Sequence, residues 1–84
     1  MKNIILANKE LNEWCGTDGI NYYEGIGALG FLFKYAVPVA VKKCGLVIFR
    51  TELLGSIYDA IYDDEDPALA LFWALWQVKE KGNE

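Results

Sequence analysis

The chain has 84 residues, 54% of them apolar and 14% aromatic, and its 12 acidic against 8 basic side chains leave a formal charge of −4. That length holds one domain, 1–84, and the apolar content excludes a disordered segment. The negative balance argues against direct nucleic-acid binding, which needs clustered cations, and disfavours anionic lipid surfaces.

In chain order, residues 3–7 form a short apolar run that reads as a strand. Asn8 is placed to cap a helix over 9–15, which Gly16 stops. Thr17-Asp18-Gly19 is turn chemistry. Asn21 and Glu24 have the spacing of a cap and its reciprocal acceptor, and Tyr22, Ile26, Leu29 and Phe33 repeat at helical spacing, so a helix is expected over 22–36. Pro38 ends or kinks it. Val37, Val39 and Val41 alternate, Lys42 to Gly45 suit a turn, and Leu46 to Phe49 is apolar and β-branched. An antiparallel hairpin of 37–41 with 46–50 follows, and the rival is one Pro-kinked helix from Tyr22 to Lys43.

Thr51 then caps a helix over 52–62, with Leu53, Leu54, Ile57, Tyr58 and Ile61 as its apolar face. The acidic loop Asp63–Asp66 ends it. Asp66 caps the last helix, 67–81, with Pro67 at its first position and Gly82 as its stop. The expected fold is therefore α+β: a three-stranded antiparallel sheet (3–7, 37–41, 46–50) packed on helices, with an all-α bundle as the alternative.

The chain lacks His and has one Ser, Ser56, so imidazole-based nucleophilic catalysis is absent and no enzyme is expected. Two cysteines, Cys15 and Cys44, make neither a disulfide framework nor a zinc site, and read as small buried thiols. No metal or other cofactor is expected. Gly25 to Gly30 fits G-x-G-x-x-G, but no second strand and no room for a dinucleotide fold accompany it, so small residues easing the approach of a neighbour explain it better. The segment Gly25 to Lys43 also resembles membrane-lytic peptides of the melittin kind in its Gly-rich start, central Pro and basic end. That resemblance implies membrane activity. Only Lys34 interrupts its apolar course, however, and core packing fits it better. The first six residues lack the pattern of a secretory leader, and the expected location is the cytoplasm of a bacterial or virus-infected cell.

Two features point to protein binding. Glu52, Ser56, Asp59 and Asp63 fall along one helix face, and Asp64, Glu65 and Asp66 extend the row. A basic protein is the matching partner. The size and charge are those of small antagonists encoded by phages and mobile elements, such as anti-CRISPR and nuclease-immunity proteins, which would make the chain a stoichiometric inhibitor of a nucleic-acid-handling protein. The second feature is a last helix apolar on every side. Leu71, Trp73, Leu75 and Trp76 offer an interface there, for a homodimer or adaptor.

Overall fold

The computed structural model of the chain describes residues 3–82, and among them four helices and no strand occur. Helix α1 is Ile4–Cys15. Helix α2 runs over 28–44, as Ala28–Phe31, a wider π-turn at Leu32–Ala36, and Val37–Cys44. Helix α3 runs over 46–62, as Leu46–Ile48, a second π-turn at Phe49–Leu53, and Leu54–Tyr62. Helix α4 is Pro67–Gly82. The α+β expectation is thus overturned in favour of the all-α alternative, and each of the three expected strands is helical.

The reasons are local. Asn3, not Asn8, caps α1: its Oδ1 accepts from the N–H groups of Ile5 (2.8 Å) and Leu6 (3.2 Å), so the run 3–7 enters a helix. Ile4, Ala7, Leu11 and Trp14 then recur every three or four residues on the core side. The alternation around Pro38 is overridden in the same way, because Leu32, Ala36, Val37 and Ala40 form one buried helical stripe. Pro38 has no N–H, and its ring crowds the preceding turn. The π-turn sits immediately before it, with Val37 N–H donating to Leu32 O, and the helix continues past the proline.

Gly45 does adopt a positive φ (91°, ψ 165°), but the turn it makes joins two helices rather than two strands. Leu46 to Arg50 follow it into α3. Thr51 consequently lies inside that helix, and its hydroxyl donates to Val47 O (2.9 Å) instead of capping. Asn21 does cap a turn, accepting from Tyr23 and Glu24, but Gly25 (φ 90°) breaks the chain away and α2 starts only at Ala28.

Helix α4 is the centre. It packs against α1, α2 and α3, and supplies Leu71, Phe72, Ala74, Leu75 and Val78 to the core. Ala7 and Leu11 of α1, Leu32 to Ala40 of α2, Leu53 of α3 and Tyr22 from the loop close over it. Tyr23, Phe72, Trp73 and Trp76 run edge to face along its flank, with centroids 5.0–5.8 Å apart. Near its end the largely buried Lys79 lies 3.7 Å from Glu10 of α1 and 2.9 Å from Glu80. Helix α3 packs chiefly on α4 and on the end of α2, which leaves its outer side uncovered.

Candidate functional site

The acidic row is built on the second half of α3 and the turn beyond it. Asp63 N–H donates to Asp59 O (3.0 Å), Asp64 N–H to Ile61 O (3.3 Å) and Glu65 N–H to Ala60 O (2.7 Å). This is a Schellman termination, and it leaves Asp64 at a φ of 58°, where glycine is usual. Asp66 then caps α4, its Oδ1 accepting from Ala68 N–H (2.9 Å), with Pro67 opening the helix as the sequence suggested. Two helix ends back to back therefore hold four acidic residues on one short turn. Anions at the end of α3 are unfavourable to its dipole, and the start of α4 offsets this.

The six acidic residues singled out from the sequence do not share one state. Asp59, Asp63, Asp64 and Glu65 are exposed, and among the described residues no Lys or Arg pairs with them. Asp66 is exposed but spends an oxygen on the cap. Glu52 is half-buried and lies 3.4 Å from Lys81, so its charge is partly balanced from α4. Ser56, on the same row, turns its hydroxyl back to Glu52 O (2.8 Å). The negative surface is thus the end of α3 and the α3–α4 turn, with Glu52 at its margin.

The aromatic candidates on α4 fall out differently. Leu71 and Leu75 are fully buried in the core, while Trp73 and Trp76 are half-buried beside it. The exposed apolar surface sits elsewhere. Of the five residues expected to form one face of α3, Leu53 and Ile57 point inward and Leu54, Tyr58 and Ile61 are exposed. Leu46, Val47 and Tyr62 join them. The sequence carried a signal of this: so many apolar residues on one helix exceed what a single neighbour covers.

Cys15 is half-buried and Cys44 exposed, and both are free thiols, so the expectation of two buried thiols fails outright for Cys44 and is only half met by Cys15. Burial pushes the Cys15 thiol up, against a hydrogen bond with Tyr22 and the charge of Lys43. Gly25 and Gly27 precede α2 and Gly30 faces open space, so the glycine run does not serve close helix approach; a Cβ at Gly27 would instead meet the Phe31 ring at 3.1 Å. A hollow of about 330 Å³ beside α1 is lined by Asn8, Lys9, Asn12, Glu13, Thr17 and Asp18. Its two asparagines are committed to holding the adjoining loop. Among the described residues no three His, Cys, Asp or Glu side chains converge as a metal ion requires, and no helix is long and apolar enough to cross a membrane.

No family model, no curated protein and no solved structure matches the chain.

Proposed function

We propose that the protein is a non-enzymatic binding protein that docks the acidic end of α3 and the α3–α4 turn onto a basic surface. A nucleic-acid-handling protein is the partner class best suited to it. The observation that carries this reading is the state of Asp59, Asp63, Asp64 and Glu65: exposed, adjacent, and unpaired among the described residues. A row of uncompensated carboxylates offers a basic groove what a phosphate backbone offers it, and it steers association through long-range attraction. The position of Asp64 adds weight. An aspartate in the left-handed region is less stable there than glycine, so the charge is kept at some expense to the fold.

The test compares two immobilised baits, the native chain and Asp59→Lys/Asp63→Lys/Asp64→Lys, in extract from the native host. The expected result is a basic, nucleic-acid-handling protein retained by the native bait and released by salt. The variant should bind that protein at least about 100-fold more weakly, a loss of roughly 3 kcal/mol, while keeping the same helical circular dichroism. Equal affinity for the two baits rejects the proposal.

A further inference from the structure

The outer side of α3 carries a second feature, an apolar stripe that ends at the acidic row. Leu46, Arg50, Leu54, Tyr58 and Ile61 succeed one another at intervals of four, four, four and three residues. The apolar members are between 41% and 70% exposed, and Arg50 is exposed as well. Val47 and Tyr62, more exposed still, flank the stripe. It runs for about 24 Å at 1.5 Å per residue, nearly the full extent of a molecule measuring 31 × 28 × 26 Å. Its ends are oppositely charged. Exposed Lys42 and Arg50 lie towards the α2–α3 corner, where Lys43 is turned onto the Trp14 ring of α1 (5.5 Å), and exposed Asp63, Asp64 and Glu65 follow the other end.

We propose that this face is the interface of a homodimer in which α3 of one copy lies antiparallel against α3 of a second. A two-fold contact must be self-complementary, with residue i meeting j and j meeting i. The sequence of α3 meets that condition about Leu54. Leu54 faces its own equivalent at the axis. Arg50 lies over Tyr58 of the second copy, a cation on an aromatic face. Leu46 and Val47 meet Ile61 and Tyr62. Beyond them, Lys42 reaches the acidic turn of the second copy, and the same contacts repeat on the other side of the axis. A parallel arrangement would instead set like charge against like charge at both ends. A second copy is therefore the occupant whose charge pattern this chain itself supplies. Asp59, off the line of the stripe, stays clear of the contact.

Sedimentation equilibrium of the full chain, at low salt and from micromolar to millimolar concentration, tests this. The native chain should dimerise. Leu54→Glu should weaken the dimer at least about tenfold, and so should Lys42→Glu and Asp63→Lys/Asp64→Lys taken separately. All three charged positions and Leu54 are exposed, so helical circular dichroism should be unchanged. An equimolar mixture of the two charge variants should recover native strength, because each reversed end then meets its opposite. A strict monomer at every concentration overturns the proposal, as does a dimer indifferent to Leu54→Glu or a mixture no tighter than its components. The dimer and a basic partner share Asp63 and Asp64, and Leu54→Glu tells them apart because it opens the dimer with every carboxylate in place: affinity for a basic partner that survives it belongs to the acidic turn alone.

Discussion

Asn12 buries a primary amide in the last turn of α1 and uses all of its hydrogen-bonding capacity there. Its Nδ2 donates to Ile20 O (2.8 Å) and Asn8 O (3.0 Å), and its Oδ1 accepts from Ile20 N–H (3.1 Å) and the Thr17 hydroxyl (2.9 Å). Asn8, one turn earlier, donates to Ile20 O and accepts from Tyr22 N–H. The two amides stand in for secondary structure in the 17–22 loop and hold Tyr22 in the core. Asn12→Ala should cost about 1–3 kcal/mol, since it strands the Ile20 N–H while Ile20 O keeps Asn8, and lower Tm on the order of 10 °C in a thermal melt. Tyr22 titrates with the fold. Burial pushes its phenol up to about 12, against the hydrogen bond with Thr17. The unfolded chain loses this proton near pH 10 and the folded one near 12, so the stability involved is full below 10 and lost as pH rises through 12. Denaturant titrations of the native chain and Tyr22→Phe should diverge over that window, the native chain falling more steeply. Signals confined to neighbouring residues, such as Gly16 or Asp66-Pro67, were legible in the sequence. Asn12 was not, because its main partner lies eight residues away across a turn.

At the scale of elements, local stop and start chemistry was read correctly more often than what it joined. Gly45 makes a turn, Gly16 ends a helix and Pro67 opens one, as expected. The strands failed because short apolar runs satisfy both periods: Val37, Val39 and Val41 alternate, yet Val37, Ala40 and Cys44 also step by three and four. Tertiary packing on α4 selected the helical option. A Pro mid-helix counted against that option, and the π-turn ahead of it, which no sequence pattern announced, made it feasible. The Schellman turn after α3 allows a direct measurement. Asp64→Gly relieves the left-handed aspartate and should stabilise the fold by about 0.5–1 kcal/mol in denaturant titration. The same substitution removes one exposed carboxylate, so it should also weaken any basic partner. Opposite signs for fold and binding would separate what the residue does for each.

For the whole molecule, the sequence pointed to α4 as the element needing most cover, and it is the centre of the bundle. The surplus apolar surface appeared on α3, whose apolar residues from Leu53 to Ile61 were legible, but which of them stay outside depends on how the helices surround α4. The acidic row was legible because consecutive charges at a helix end have few places to hide. Its loss of Glu52 to Lys81 was not, since those residues meet only when α3 and α4 pack.

The wide turn within α3 carries a consequence for the two sides of that helix. It contains an i to i−5 closure, Leu54 N–H to Phe49 O, equivalent to one extra residue let into a regular coil. Each residue advances a helix by about 100°. Excising one residue from 49–53 would therefore let the segment close as regular α-helix with both halves in their present phase, whereas closing it with every residue kept would rotate the front half against the back half by about a quarter turn. Phe49 and Leu53 would fall out of phase with Ile57 and Ala60 beneath, and Leu46 and Arg50 out of phase with Leu54 and Tyr58 above. One inserted position sets the angular frame for both the inner and the outer surface, so neither can drift without the other.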